Sequence, residues 1–451
     1  MARQLFGTDG IRGVAGEAPL DPETVFAVGV ALGQWAVGTH GGNPEILVGM
    51  DTRESGQWIA ETVAAGAFAE GARVRFAGLI TTPGVAYLTR NQDFVAGVMI
   101  SASHNPFRDN GIKIFDHSGF KLPDDLEHSL EGTILARVSR GVQPGRLSLT
   151  ADEGLDQAYV DYLAGTFQGS LKGFRLLVDC ANGAACHLAP DLLRRLGAEV
   201  LPRSCEPDGR NINLQCGALY AGGLGPEVVE HQATAGIAFD GDADRSMLIS
   251  ESGKVVDGDA ILLIAAMSLL GKGQLADSDG NPTVVATVMS NYGLEGALKA
   301  HGVRLLRTSV GDKYVLEEMV RTGAILGGEQ SGHVIFREYA TTGDGLLTAL
   351  RVLEVMAETG KGLDELTRDL KTYPQILVNV RIKQKRPIEQ IGPVQDEIHA
   401  AMEDFAGAGR VLVRFSGTEP LARVMVEGPD TERVERFAHR IANAVERELG
   451  A

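Results

Sequence analysis

One pattern recurs three times along the chain and limits what it can fold into. An apolar run of β type is followed by a turn, an amphipathic helix, a glycine break and a second β run; a third β run comes after a longer connection. The first occurrence reads EILVGMDTRESG, a helical stretch through Glu70, GARVRFAGLITTP and FVAGVMISASHNP. The second reads FRLLVDCANGAA, APDLLRRL, GAEVLPRSCEPDG and AGIAFDGDADR. The third reads TVVATVMSNYG, LEGALKAH, GVRLLRTSVGDKY and GAILGGEQSGH. Continuous apolar strands alternating with helices predict a mostly parallel sheet covered on both faces. The repeats are too long for a short-repeat solenoid and predict similar domains instead.

After DLKTYPQ the pattern changes. ILVNVRIKQ reads as a strand, PIEQIGPVQDEIHAAMEDF as a helix, GRVLVRFSGTEPLARVMVEG as a hairpin and TERVERFAHRIANAVEREL as a helix. The expected fold class is α/β: three similar mixed or parallel-sheet α/β domains and a smaller C-terminal α+β domain. The expected boundaries are 1–150, 151–252, 253–370 and 371–451, with a hinge at Thr372-Tyr373-Pro374. A chain of 451 residues suits three or four domains at about 100–200 residues each.

The formal net charge of −17 argues against a nucleic-acid binder or a protein that coats anionic membranes. It leaves an anionic small substrate open, because a site is able to be locally basic. The cysteines, Cys180, Cys186, Cys205 and Cys216, form no C-x-x-C pair, which argues against zinc or dithiol chemistry. The apolar run from Ala260 to Leu270 is short of the ~20 residues a membrane span needs. MARQLFGTDGIRG lacks the apolar core of a signal peptide, so a cytoplasmic location is expected.

The third β run of each repeat ends in a polar cluster: SASHNP, DGDADR and GGEQSGH. Ligands of open α/β sheets bind outside the carboxyl ends of strands, so these loops are candidate site elements. DGDADR places Asp240, Asp242 and Asp244 at alternate positions. Charges ~4 Å apart repel by about 4 kcal/mol at an effective dielectric of ~20, so the three carboxylates want a cation. Oxygen ligands suit Mg²⁺ or Ca²⁺. An EF-hand is excluded because Arg245 stands where that loop needs glycine, and SMLIS reads as a strand. The plain alternative is a solvated acidic turn.

SASHNP offers Ser103 as a nucleophile, against the alternative of a simple turn. No Gly-x-Ser-x-Gly elbow supports a hydrolase triad. RFSGTEP joins two strands; its hydroxyls and backbone N–H groups, with Arg414 and Arg423 beside them, suit a phosphate, although an ordinary hairpin reads the same way. Glu329 and Ser331 suit sugar hydroxyls. Arg245 suits a phosphate beside the metal. Arg12, Lys313 and His333 are single groups of types that are more often surface charges or structural histidines.

Together the clusters resemble the α-D-phosphohexomutase superfamily across essentially the whole chain: a serine loop SASHNP, a metal loop DGDADR, a sugar loop GEQSGH and a phosphate loop RFSGTEP, in that order. FGTDGIRG, SASHNP, GEQSGH and the chain length look most like the bacterial branch that acts on glucosamine phosphates. The resemblance implies four domains around one cleft, a phosphorylated Ser103 contacted by His104, and one Mg²⁺ held by Ser103, Asp240, Asp242 and Asp244. It implies Lys113, Arg12 and His333 as acid/base candidates. It implies substrate contacts from Arg245, Lys313, Glu329, Ser331, Arg414, Ser416, Gly417, Thr418 and Arg423, and a fourth domain that closes over the substrate.

The implied reaction interconverts glucosamine 6-phosphate and glucosamine 1-phosphate through glucosamine 1,6-bisphosphate, feeding UDP-N-acetylglucosamine and cell-wall precursor synthesis. The partner is a small phosphosugar, with no nucleic acid and no membrane, and a homodimer is compatible with the resemblance. Asp312 departs from the pattern, since some relatives have histidine there, and no motif reads the 2-amino group. The alternatives are a mutase for glucose or mannose phosphates, a metal-dependent phosphatase, and a non-catalytic sugar-phosphate binder.

Overall fold

The computed structural model describes residues 4–7, 9–141, 143–416 and 420–450. It divides into two compact units, one of residues 1–288 and 306–367 and one of residues 289–305 and 368–451. The α/β fold class expected from the sequence is the one observed.

The first unit contains two complete sheets and most of a third. The first sheet runs in the order Phe6–Gly7, Gly10–Val14, Asp109–Asp116, Ala96–Ile100, Glu45–Met50, Arg73–Leu79. Glu45–Met50 pairs in parallel with both Arg73–Leu79 and Ala96–Ile100. Asp109–Asp116 then returns antiparallel beside Ala96–Ile100, with Lys113 opposite Met99. The second sheet repeats this plan. Arg175–Asp179 is parallel to Glu199–Arg203 and Ala235–Phe239, and Ser246–Ile249 returns antiparallel to Ala235–Phe239. In the third, Thr283–Thr287 is parallel to Leu326–Gly328, and Val334–Phe336 returns antiparallel.

This third sheet also carries Arg304–Thr308 at its edge, a strand that crosses the boundary between the units. Each polar cluster therefore sits in the turn between a buried parallel strand and the antiparallel strand that follows it. The central strands are buried along their whole length, as their unbroken apolar runs predict: Ala96–Ile100, Ala235–Phe239 and Thr283–Thr287.

The second unit has a three-stranded antiparallel sheet in the order Gln375–Arg381, Leu421–Glu427, Arg410–Phe415. Helix Thr431–Leu449 buries Val434, Phe437, Ala438, Ile441 and Val445, a helical stripe at spacings of three and four, and its N-cap Asp430 accepts from the Arg433 N–H. Residues 289–305 group with this unit, although the repeat places them in the third α/β segment. The reason is polar. Buried Glu427 pairs with Arg410 at 2.6 Å and accepts from the Tyr292 N–H at 2.8 Å. Arg410 also donates to the Ser290 carbonyl, and Asn291 exchanges hydrogen bonds with the backbone of Tyr373. No helix among the described residues is long and apolar enough to cross a membrane.

The start of the chain is tied down by one carboxylate. Glu131, on helix Asp124–Ser139, accepts from the backbone N–H groups of Gln4, Leu5 and Phe6 at 2.9–3.1 Å. Burial works to raise its pKa, and the three N–H groups outweigh burial and lower it. Its stabilisation is therefore present above the unfolded glutamate pKa of about 4.3 and is lost as pH falls through the lower folded value. Glu131→Gln is expected to lower unfolding free energy by about 1–3 kcal/mol at neutral pH. The deficit should shrink in acid, read by urea denaturation across pH.

Candidate functional site

Ser103 follows strand Ala96–Ile100 by three residues and is held in a left-handed backbone conformation, φ 52°, which a non-glycine residue adopts only where its surroundings enforce it. Arg53 supplies that enforcement. Its guanidinium is fully buried, pairs with Asp51 at 2.9 Å, and donates to the carbonyls of Ser103 (2.9 Å), Asn105 (2.9 Å), Pro106 (2.5 Å) and Asp109 (3.0 Å). Asn213 donates to two of the same carbonyls, those of Ser103 and Asn105. The Ser103 N–H is taken by the Ser101 hydroxyl, which itself donates to Asp51. Nearly every polar group of the loop backbone is thus fixed, and the Ser103 hydroxyl is left to face the second sheet.

That hydroxyl donates to Asp240 Oδ2 at 2.5 Å, across 137 residues of sequence. It also lies 3.3 Å from His104 Nδ1. Burial, with the charges of Arg245 and Arg12, pulls the His104 pKa down to about 4, so the imidazole is neutral at physiological pH.

Asp240, Asp242 and Asp244 are buried, and one oxygen of each lies within 4.8 Å of the others. Burial first, then the charges of Asp244 and Asp242, pushes Asp240 up to about 8. Asp242 Oδ1 is buried and makes no hydrogen bond among the described residues. An orphaned buried carboxylate oxygen, a neighbour pushed toward its neutral form, and a serine oxygen at their edge fit a hard divalent cation. The close packing also needs Gly241: a Cβ there would lie 2.6 Å from the Ser103 carbonyl oxygen.

Cations surround the triad. Lys113, from the strand that returns after the serine loop, donates to Asp242 Oδ2 at 2.8 Å and Asp244 Oδ2 at 3.4 Å and pairs with Asp9 at 3.1 Å. Burial opposes its charge, but Asp242, Asp9 and Asp244 together hold its pKa well above the usual lysine value. It sits here as an ammonium that holds its proton, a group suited to neutralising charge rather than to taking a proton. Arg12 pairs with Asp9, three residues before it. Lys121 bridges Asp9 and Asp312 at 2.5 Å each. Thr82 donates to Asp242 through its hydroxyl, and its backbone N–H donates to the Asp242 carbonyl.

The remaining sequence candidates fall in several places. The backbone N–H of Arg245 donates to Asp240, and its buried Nε makes no hydrogen bond among the described residues. Glu329 and Ser331 occupy the turn after Leu326–Gly328; Glu329 accepts from the Gly311 N–H at 3.1 Å and from the Ser331 hydroxyl at 3.3 Å. This turn is fastened to the strand after the metal loop, where the Ser246 N–H donates to the Gly332 carbonyl. His333 is buried, accepts the Gly343 N–H at Nε2 (3.0 Å), and turns Nδ1 toward Asp244 at 3.7 Å. Burial opposes a charge on the ring, but its contact with Asp244 and the charges of Asp244, Asp312 and Glu329 raise its pKa above the usual histidine value. Lys313 pairs with Asp124.

In the other compact unit, Arg414 stands directly opposite Arg423 in the antiparallel register. Burial and the Arg423 charge lower the Arg414 pKa, as expected for two guanidiniums that want an anion. The Ser416 N–H donates to the Leu421 carbonyl, and the Ser416 carbonyl accepts from Lys385. Gly417 and Thr418 lie outside the described residues.

Reading the sequence missed Arg53, Asp51, Asp9, Lys121, Thr82 and Asn213. Asp51 and Arg53 had a visible signal: DTR follows the first apolar strand as DGDADR follows its own. The others carry no local signal, because each is a common residue type made important by contact with a loop far away in sequence.

Descriptions of the phosphoglucomutase/phosphomannomutase family match four consecutive segments: alpha/beta/alpha domain I at residues 3–140, domain II at 157–253, domain III at 257–373, and the C-terminal domain at 377–444. Among curated relatives, the phosphoglucosamine mutase of Solibacter usitatus is 61% identical over 450 residues, covering 100% of both chains. That of Koribacter versatilis is 49% identical over 457 residues, covering 99% of this chain and 98% of the relative. A Burkholderia thailandensis phosphoglucomutase/phosphomannomutase family structure superposes with a TM-score of 0.80 at 24% identity, covering 98% of this chain and 97% of that one. The Aspergillus fumigatus N-acetylphosphoglucosamine mutase, solved with GlcNAc-6P and magnesium, superposes with a TM-score of 0.65 at 19% identity, covering 99% and 96%. The chain belongs to the phosphoglucomutase/phosphomannomutase family, and the two curated relatives named above are phosphoglucosamine mutases.

Proposed function

We propose that the chain is an isomerase interconverting glucosamine 6-phosphate and glucosamine 1-phosphate, by way of a phosphorylated Ser103 and glucosamine 1,6-bisphosphate. The observation that carries this reading is the contact of the Ser103 hydroxyl with a buried aspartate triad. The amino-sugar assignment is supported by relatives 45–61% identical over essentially the whole chain.

In the forward direction the sugar O1 attacks the phosphorus of phospho-Ser103. The P–O bond to serine breaks and the 1,6-bisphosphate is formed. After the intermediate turns over, the Ser103 oxygen attacks the 6-phosphorus and glucosamine 1-phosphate leaves. Phosphoryl transfer asks chiefly for alignment and charge stabilisation. Arg53 fixes the serine loop. The Lys113 ammonium and the Arg245 guanidinium offset charge on the phosphoryl oxygens. Neutral His104 is a hydrogen-bonding neighbour of the serine oxygen. A Mg²⁺ ion, when held by Asp240, Asp242, Asp244 and the serine group, supplies further neutralisation of the transferring phosphoryl oxygens.

Glu329 and Ser331 are assigned to sugar hydroxyls. Arg414, Ser416, Gly417, Thr418 and Arg423 are assigned to the phosphate not being transferred. Arg12, Lys113 and His333 remain the acid/base candidates. The division at 1–150, 151–252, 253–370 and 371–451 remains our proposed domain plan.

Conversion of glucosamine 6-phosphate, assayed with Mg²⁺ and a trace of hexose bisphosphate, is expected to exceed that of glucose and mannose 6-phosphates, and Ser103→Ala should lose ~10³-fold or more. Preference for glucose or mannose phosphate would keep the chemistry and overturn the substrate, and release of inorganic phosphate as the main product would indicate a phosphatase. Arg53→Lys keeps the charge but lacks the planar fork that spans four carbonyls. It should lower kcat by about 10²-fold with little change in KM, because the serine is displaced while the sugar contacts stay in place.

A further inference from the structure

Three of the four free cysteines lie in adjoining turns of the second sheet that the reaction does not use. Cys180 immediately follows the strand Arg175–Asp179, Cys186 lies in the next turn, and Cys205 lies just beyond Glu199–Arg203. Cys180 is buried, whereas Cys186 and Cys205 are partly exposed. The Cys180 N–H donates to the Arg203 carbonyl at 3.1 Å, two residues before Cys205. Cys205 Sγ lies 3.3 Å from the Arg203 carbonyl oxygen, and Cys186 Sγ lies 3.6 Å from that of Ser204, so two sulfurs crowd the same short stretch of backbone.

Cys186 and Cys205 also line a cavity of about 380 Å³, together with Thr52, Leu79, Gly183 and His187. A small oxidant therefore has a route to this pair, while Cys180 is buried. Hydrogen bonds from Cys180 and Cys186 pull the Cys205 pKa well below the usual thiol range, which favours its thiolate as the attacking species.

We propose that Cys205 is a peroxide-oxidisable thiol, that Cys186 resolves it into a disulfide, and that this modification slows the mutase. The Cys205 thiolate attacks one oxygen of a hydroperoxide. The O–O bond breaks, Cys205 becomes a sulfenic acid, and the departing oxygen takes up the thiol proton and leaves as water or an alcohol. The Cys186 sulfur then attacks the sulfenic sulfur, and hydroxide leaves with the Cys186 proton as water. Two thiols lose two electrons in total, and the hydroperoxide gains them.

The structure links this pair to both catalytic loops. Ala181, Asn182 and Ser204 all hold left-handed φ angles of 48–55°. The Asn182 N–H clamps the Ser204 carbonyl at 2.6 Å, joining the two cysteine-bearing turns. The first turn then reaches outward: the Ala184 N–H donates to the Gly241 carbonyl in the metal loop, and the Ala181 carbonyl accepts from the N–H of Asn213. Asn213 in turn holds the carbonyls of Ser103 and Asn105. Drawing Cys186 and Cys205 into a covalent bond distorts turns that carry these supports.

The effect on turnover rests on the function proposed above, whereas the thiol chemistry does not. The full chain would be treated with hydrogen peroxide, and disulfide-linked peptides mapped by mass spectrometry. A Cys186–Cys205 peptide is expected in the wild type. Cys186→Ser should stop at a sulfenic acid trapped by dimedone on Cys205, and Cys205→Ser should form neither. Persistence of both thiols, or a disulfide joining other cysteines, would overturn the proposal. In parallel, glucosamine 6-phosphate turnover should fall several-fold on oxidation and recover with dithiothreitol, while Cys205→Ser, folded by circular dichroism, stays insensitive. A formed disulfide with unchanged turnover would overturn the coupling. Reduced protein inactive on every hexose phosphate would overturn the functional reading instead.

Discussion

The buried ammonium of Lys113 is the charge around which the site is assembled. It lies among carboxylates from separate parts of the chain: Asp9 near the start, and Asp242 and Asp244 from the metal loop. Removing one partner of a buried ion pair costs about 3–5 kcal/mol, so these segments are held to one another by a strong local constraint. Lys113 belongs to the strand that leaves the serine loop. The segment that presents Ser103 thus also brings the cation that lets the aspartates gather beside it. Without such cations, three carboxylates within 4.8 Å in a buried setting would repel one another strongly.

The architecture repeats one solution. A fully buried parallel strand carries the backbone inward, a short polar turn exposes side chains at its carboxyl end, and an antiparallel strand carries the backbone away. The serine, metal and sugar turns are all built this way. Backbone hydrogen bonds then join turn to turn: Thr82 to the Asp242 carbonyl, Gly345 to the Ala243 carbonyl, and Ser246 to the Gly332 carbonyl. Rigid strands set the position of each turn, and the turn-to-turn bonds set its orientation. This is how a left-handed serine is held at the contact distance its chemistry needs. The same interlocking makes the cysteine-bearing turns of the second sheet mechanically relevant, since they bond to the metal loop at Gly241 and to Asn213, which holds the serine loop.

Much of this was legible in the sequence. Unbroken apolar runs such as AGVMI and AGIAF became buried central strands, because burial on both faces selects apolar side chains at every position. SMLIS became a strand, as the rejection of an EF-hand required. The hairpin around RFSGTEP has its strands at Arg410–Phe415 and Leu421–Glu427. The placement of residues 289–305 was not legible. LEGALKAH looks like the crossover helix of a third repeat, and nothing local announces that Glu427, more than a hundred residues later, binds its first turn.

By itself, the sequence determined which chemical groups the chain carries, the order of its strands and turns, and the turn in which each reactive group sits. Those properties are local: side-chain periodicity and turn chemistry act over a few residues. Tertiary structure alone decided which groups meet. Ser103 reaches Asp240, Lys113 is fixed as a cation, Arg53 rather than a glycine-rich turn holds the serine loop, and three cysteines without a motif lie in adjoining turns. The physical reason is that contacts across a hundred or more residues depend on how sheets pack and how buried charges find partners, and the periodicity of a single strand records neither.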